Sequence, residues 1–381
     1  MEVRLETLRK SEQITYLLRQ LYEAYGYRMF RMSKFEEYDF YTKNKDYLTS
    51  GQVITFSDLD GKLLALKPDI TLSIVKNTRA DAACPERVYY SESVYRVSKD
   101  IKEFKELYQT GLEYIGRVTP YTNIELVKLA LKSLGVISRS YVLDLSHMGF
   151  LAGLLGSLNV SAAARETLLG CIEAKNAHEL CAAAAAAGIG ETDINRLVQL
   201  TRLSGSMEET LEKAGSLIVN EPMQTAWDEL DSLGRVLEDA GMGNGLRLDF
   251  SITNDLKYYN GLMMRGYVEG VPRAVLSGGR YDPLLKRMGK TDLQAIGFAI
   301  ALDELERYFQ KPRAHDCDVV VLYPEGTDLT ALNAVVERLV AAGERVAALP
   351  AQKGELPEGM RAGRVLKLEG TTVREEEEIH A

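Results

Sequence analysis

The sequence predicts an α+β protein, and two observations carry that prediction. Residues 93–116, "SVYRVSKDIKEFKELYQTGLEYIG", alternate with period two on both sides of a charged tip, which is typical of an antiparallel hairpin. Helical spacing of apolar residues dominates residues 7–25 and most of the stretch from about 150 to 240. Strand and helix patterns thus occupy different parts of the chain, as in α+β proteins.

The hairpin has well-defined faces but a neutral tip. The residues that share a face within their strand are Val94, Arg96 and Ser98 on the first strand, and Tyr108, Thr110, Leu112 and Tyr114 on the second. The tip carries three positive and three negative residues, Lys99, Asp100, Lys102, Glu103, Lys105 and Glu106. A loop that grips a triphosphate is expected to carry excess positive charge, because phosphate oxygens are stabilised by Arg and Lys. This tip does not predict nucleotide binding.

The N-terminal elements follow in order along the chain. Apolar residues at helical spacing from Leu8 to Ala24 predict an amphipathic helix that stops at Gly26, followed by a strand around residues 28–35. In "GKLLALKPDITLSIVKNTRA", Pro68 keeps the chain extended, and a helix begins near Thr71. Asp69 either caps that helix or binds a ligand.

Later segments divide into a helical stretch, a second group of strands and a small C-terminal unit. Residues 150–240 are rich in Ala and Leu and predict an all-helical subdomain within a first domain, residues 1–312. Strand patterns return at "GLRLDFSI", "LKYYNGLMMRGYVEG" and "LSGGRYDPLL". Residues 313–381 predict a small α/β domain with 8 Lys and Arg against 13 Asp and Glu, and "REEEEIHA" reads as a solvated acidic end.

Composition narrows the functional classes. The net charge of −9 over 381 residues argues against unaided nucleic-acid binding, and no window is apolar enough for a membrane span, so we expect a cytoplasmic protein. The four cysteines, Cys84, Cys171, Cys181 and Cys317, lack metal-site spacing and are expected to be reduced and mostly buried. Because the histidines are equally dispersed, the sequence predicts no metal site, and because no Gly-rich phosphate motif is present, it predicts no cofactor.

Six segments in the right order resemble the catalytic domain of class II histidyl-tRNA synthetases over about residues 5–310. They are "GYRMFRMSKFE", "LKPDITLSIVKN", "SVYRVSKDIKEFKELYQTGLEYIG", "DLKYYNG", "LSGGRYDPLL" and "AIGFAIALDEL". The resemblance implies a six-stranded antiparallel sheet flanked by helices. It also implies a homodimer packed through the first helix and strand, with the 150–240 stretch as the insertion domain.

The same resemblance exposes departures at the catalytic positions. The Arg that clamps ATP phosphates in the family aligns with Glu304, and the Arg that contacts the reacting carboxylate aligns with Asn254. In the hairpin, the Glu that reads adenine aligns with Ser98, and an Arg that meets the triphosphate aligns with or near Glu103. Because adenylation relies on cations at the phosphates, these losses predict that the reaction is absent, although Arg96 is retained.

The amino-acid side of the family's pocket is better preserved. The candidate ligand-binding residues are Asp69, Thr71, Arg96, Gln109, Glu113, Tyr258, Tyr259, Gly278, Gly279, Arg280 and Tyr281. Carboxylates for an ammonium and tyrosines around an imidazole suit free histidine. Tyrosines at strand spacing are equally compatible with an inherited core, and paired glycines with an ordinary turn.

Retained fold with erased catalysis resembles the regulatory subunits of ATP phosphoribosyltransferase. That resemblance implies a non-catalytic chain that assembles with a short-form catalytic subunit, activates it, and transmits feedback inhibition by histidine. Two alternatives stay open, an active divergent histidyl-tRNA synthetase and a synthetase-like protein with another ligand. Histidine could bind in the inherited pocket or at a subunit interface, and tRNA binding is not expected.

Overall fold

The computed structural model describes residues 8–48, 53–81, 83–97, 103–253, 258–309, 314–351, 356–369 and 372–376. The chain divides into two compact units, Met1–Phe309 and Gln310–Ala381. The sequence places its domain boundary three residues later, between residues 312 and 313.

The helices within the described residues are α1 (Lys10–Ala24), α2 (Tyr38–Lys43), α3 (Thr71–Asn77), α4 (Pro120–Ile137), α5 (Met148–Ser157), α6 (Ala162–Glu173), α7 (Ala177–Ala186), α8 (Glu191–Thr201), α9 (Met207–Gly215), α10 (Glu221–Asp239), α11 (Asp282–Arg287), α12 (Leu302–Phe309) and α13 (Leu329–Ala341). A short 3-10 helix spans Lys45–Tyr47.

The strands in the same residues are β1 (Arg28–Met29), β2 (Phe35–Glu37), β3 (Thr55–Ser57), β4 (Leu63–Leu66), β5 (Glu86–Val97), β6 (Phe104–Gly116), β7 (Tyr141–His147), β8 (Ser204–Ser206), β9 (Leu246–Asp249), β10 (Leu262–Val268), β11 (Leu276–Arg280), β12 (Gln294–Ala301), β13 (Cys317–Tyr323), β14 (Val346–Pro350), β15 (Ala362–Glu369) and β16 (Thr372–Glu376).

The first unit is built on one large mixed sheet. Within the described residues its nine strands run in the order β1-β5-β6-β12-β11-β10-β7-β9-β8. The six neighbours from β5 to β7 are antiparallel throughout, whereas β1 joins β5 and β9 joins β7 in parallel. The predicted α+β fold, with an antiparallel sheet flanked by helices, is confirmed.

Both faces of this sheet are covered, and the hairpin shows how. Residues opposite each other in an antiparallel pair point to the same side, so the pairing of β5 with β6 assigns every residue a face. Leu112 and Tyr114 pack into the core formed with α1, α4 and α12. Val94 and Ile115 belong to a second core with α2, α3 and α11. We call this second side the α3 face, and it also carries Arg96, Gln109 and Glu113.

The N-terminal prediction is correct for the helix and partly wrong for the strand. Helix α1 buries Ile14, Leu18 and Tyr22, and Gly26 follows it with φ of 77°. The predicted strand over 28–35 is only two residues long, because β1 pairs in parallel with Val88 and Tyr89 of β5 and then leaves that edge. The chain then contributes β2 to a separate small sheet, ordered β2-β4-β3.

The stretch from 150 to 240 is helical as the sequence indicates, apart from the short strand β8. Its buried side chains, such as Leu168 and Leu230, belong to the same core as the large sheet. Among the cysteines, Cys171 and Cys317 are buried but Cys84 and Cys181 are exposed, so the expectation of mostly buried thiols is wrong for two of them.

In the second unit β13 lies between β14 and β15, both parallel to it, and β16 pairs antiparallel with β15. The start of "REEEEIHA" forms part of strand β16, while residues 377–381 lie outside the described residues, so the prediction of a solvated acidic end stays a prediction. In the described part of the chain, no helix is long and apolar enough to cross a membrane. No cluster of potential metal ligands occurs there either.

Candidate functional site

A cavity of about 460 Å³ lies on the α3 face of the large sheet. It is lined by parts of β5, β6, β11 and β12, by the start of α3, and by the segments at residues 46–48 and 258–259. Nine of the eleven predicted site residues line it, namely Asp69, Thr71, Arg96, Gln109, Glu113, Tyr258, Tyr259, Gly278 and Tyr281. Residues far apart in sequence thus converge on one concave site.

Glu113 lies at the floor of the cavity and is only 3% exposed. Its Oε1 accepts a hydrogen bond from the Thr71 hydroxyl at 2.9 Å, and its Oε2 accepts one from the Tyr281 hydroxyl at 2.7 Å. The net pKa of the Glu113 carboxyl is raised to about 8. Burial is the largest cause of the rise, the hydrogen bonds from the two hydroxyls oppose it, and the charge of Asp69 adds to it. The site therefore holds a carboxyl group that titrates near neutral pH.

Gly297 on β12 makes room for that carboxyl group. It pairs directly with Glu113 across β6 and β12. A Cβ atom at Gly297 would lie closer than 3.0 Å to Glu113 Oε2 and also to the Leu112 carbonyl oxygen. Only glycine fits there, so the glycine of "AIGFAIALDEL" is part of the site, although the sequence analysis did not select it.

Asp69 caps α3, one of the two alternatives that the sequence left open, and its position in the cavity lining is compatible with the other, ligand binding, which stays a prediction. Its Oδ1 accepts the backbone N–H of Leu72 at 2.8 Å, which caps the start of α3, and the carboxylate also lines the cavity. Its Oδ2 lies 3.5 Å from Nη2 of Arg96, whose Nε donates to the Pro68 carbonyl oxygen at 2.7 Å. Burial raises the pKa of Asp69, opposed by Arg96 and by the backbone N–H groups of Leu72 and Thr71.

Tyrosines form one wall of the cavity. The Tyr258 ring lies 4.6 Å from the Tyr259 ring, 5.8 Å from the Tyr47 ring and 6.2 Å from the Tyr281 ring, measured between centroids. Tyr90 lines the same cavity from β5 and was missed from sequence because its alternation is equally typical of core. Burial raises the pKa of Tyr90, Tyr258 and Tyr281 well above the usual value, so these phenols stay neutral donors. An aromatic wall with carboxylates suits a small organic cation.

Gly279 and Arg280 lie outside the cavity lining. Gly279 points to the α3 face but is covered by the Tyr259 ring, which a Cβ atom there would touch. Arg280 pairs with Ile296, which belongs to the core on the opposite side of the sheet, and its Nε donates to Asp282 Oδ2 at 2.9 Å. Alternation along β11 thus turns Arg280 away from the site.

The structure describes only some of the positions at which the sequence departs from the family's catalytic residues. Glu304 is in the first turn of α12, outside the cavity lining, with its Oε1 4.0 Å from Nη1 of Arg273. No hydrogen-bond partner for its Oε2 occurs among the residues that the structure describes. Asn254, Ser98 and residues 99–102 of the hairpin tip lie outside the described residues, whereas Glu103 is described and exposed.

Comparison with known proteins places this geometry in a family. The model of the histidyl-tRNA synthetase family matches residues 1–305. The crystal structure of a chain described as ATP phosphoribosyltransferase regulatory subunit/histidyl-tRNA synthetase from Bacillus halodurans superimposes with a TM-score of 0.74. The two chains are 25% identical, and the match covers 92% of this chain and 90% of that one. Fold and site together define a protein built on the histidyl-tRNA synthetase scaffold.

A curated relative narrows the assignment, and a further structure shares the fold. The ATP phosphoribosyltransferase regulatory subunit of Caldanaerobacter subterraneus subsp. tengcongensis is 30% identical over 300 residues, 77% of each chain. A chain from the ATP phosphoribosyl transferase (HisG:HisZ) complex of Thermotoga maritima shares the fold, with a TM-score of 0.61 at 18% identity, covering 76% of this chain and 96% of that one. The chain belongs to the family of ATP phosphoribosyltransferase regulatory subunits, which are non-catalytic members of the histidyl-tRNA synthetase family.

Proposed function

We propose that this chain assembles with a short-form ATP phosphoribosyltransferase catalytic subunit and makes that subunit sensitive to free histidine through the cavity on the α3 face. The catalytic subunit carries the transferase chemistry. This chain supplies the binding site for the feedback signal, and it forms a homodimer as the synthetase scaffold implies.

The observation that carries the proposal is the contrast between the two ends of the old active site. At the amino-acid end, hydrogen bonds join Thr71 and Tyr281 to Glu113, and Asp69 lines the same open cavity. The resemblance aligns the family's phosphate-clamping Arg with Glu304, which lies in the first turn of α12, outside the lining of this cavity. A site that keeps ligand contacts and loses phosphate contacts is suited to sensing an amino acid without activating it.

Histidine fits the retained contacts chemically. An α-ammonium group can pair with the buried carboxylates Asp69 and Glu113, which are 8% and 3% exposed. The imidazole ring can stack against the tyrosine wall formed by Tyr258 and Tyr259. The cavity volume of about 460 Å³ leaves room for a ligand of that size.

The assembly is tested with purified components. Mixing this chain with a short-form catalytic subunit is expected to give one co-migrating species on gel filtration and a higher rate of phosphoribosyl transfer than the catalytic subunit alone. A mixture with an unrelated acidic protein of similar mass serves as the control. Separate elution together with an unchanged rate would contradict the proposal.

A further inference from the structure

Two buried carboxylates, Asp69 and Glu113, face the same cavity, but only Asp69 has a cation beside it among the described residues. Asp69 has the Arg96 guanidinium beside it, at 3.5 Å. Glu113 accepts hydrogen bonds from the hydroxyls of Thr71 and Tyr281, and in the described part of the chain no Lys, Arg or His lies within ion-pair distance of it. A buried carboxylate without a cation is costly, so the empty site favours a neutral Glu113.

The groups that face Glu113 from neighbouring elements also favour its neutral form. Asp69, which precedes α3, is an acid and disfavours a second negative charge. From β12 the neighbour is Gly297, which brings no charge. Among the residues that the structure describes, Arg96 also lines the cavity but lies beside Asp69, and the other titratable neighbours are the phenols Tyr90, Tyr258, Tyr259 and Tyr281, whose own pKa values are raised by burial and by Glu113. These phenols therefore cannot take up the negative charge in place of Glu113 near neutral pH.

We propose that Glu113 holds a proton in the empty cavity and releases it to solvent when a ligand carrying an ammonium group binds. The O–H bond of the Glu113 carboxyl breaks, the proton passes to water or buffer, and the resulting carboxylate pairs with the ligand cation. This inference rests on the proposed histidine site and adds to it that sensing is coupled to proton release.

The sign of the pH dependence follows from the raised pKa of about 8. Below that pH the ligand cation must displace a proton, so affinity increases with pH, by at most about tenfold per unit. Above that pH Glu113 is already ionised in the empty site, and affinity no longer increases. Feedback sensitivity is therefore expected to strengthen between pH 6.5 and about 8.

Calorimetry with L-histidine on the full chain tests the coupling. Titrations at pH 7 in phosphate and in Tris, which differ in ionisation enthalpy, are expected to show release of most of one proton per bound histidine. Glu113→Gln is expected to release none and to lose the pH dependence of its affinity. The exposed Glu209→Gln on α9 is the matched control and is expected to behave as the wild type does.

The wild-type titrations decide the matter even if Glu113→Gln does not fold. Histidine binding with the same apparent enthalpy in both buffers would overturn proton release and leave the histidine site standing. Undetectable histidine binding would overturn both the site and the coupling.

Discussion

Gly297→Ala is expected to abolish ligand binding in the cavity and to destabilise the protein by about 1–3 kcal/mol or more. The added methyl group would overlap with Glu113 Oε2, which can move, and with the Leu112 carbonyl oxygen, which is fixed in the ladder between β6 and β12. Relief requires either displacement of the Glu113 carboxyl group from Thr71 and Tyr281 or separation of two central strands. Thermal unfolding and calorimetry with L-histidine measure the two effects.

Gly170→Ala is the matched control, because it makes the same chemical change in a different environment. Gly170 lies within α6, and a Cβ atom there meets nothing within 4 Å. Since alanine is the better helix former, this variant is expected to gain about 0.5–1 kcal/mol and to bind histidine unchanged. If Gly297→Ala had the same unfolding temperature and the same affinity for histidine as Gly170→Ala, the role given to Gly297 would be wrong.

The chain alone is expected to show no histidine-dependent exchange of pyrophosphate into ATP. Adenylation places negative charge at the phosphates, and loss of one phosphate-pairing cation typically costs about 2–5 kcal/mol. Glu304 goes further, because it replaces attraction by repulsion at a position where the family has Arg. Several such losses together reduce the rate to background.

The exchange assay needs an active histidyl-tRNA synthetase as a positive control under identical conditions. Exchange by this chain that required histidine and exceeded background would restore the alternative of an active divergent synthetase. It would also show that cations other than the aligned ones support the phosphates.

Much of the scaffold could be predicted from local pattern. Period-two alternation in residues 93–116 correctly indicated β5 and β6, because both strands have one face on each of two cores. The Lys-Pro-Asp turn correctly indicated the start of α3, since the capping carboxylate of Asp69 acts within three residues of its own position. Such signals are local, so a single sequence reveals them.

Two of the parts that the sequence did not reveal depend on pairing between distant strands, whereas the orientation of Arg280 is a local effect of alternation. Gly297 matters because of its register with Glu113, a pairing between strands that are far apart in the chain. Arg280 looked like a wall residue beside Gly278 and Gly279, but alternation in β11 turns it toward Asp282. Strand β1 is likewise short because it pairs with β5 over only two residues. Register and strand ends of this kind are set by tertiary structure rather than by composition.

The most direct test is the rate of the short-form catalytic subunit in complex with this chain as L-histidine is added. We expect inhibition of the wild-type complex, and we expect the Thr71→Val complex to need at least about tenfold more histidine, because that change removes a hydroxyl that holds Glu113. Thr167→Val, the same change at an exposed position of α6, is expected to match the wild type. A wild-type complex that histidine does not inhibit, or a Thr71→Val complex inhibited at wild-type concentrations, would contradict the account.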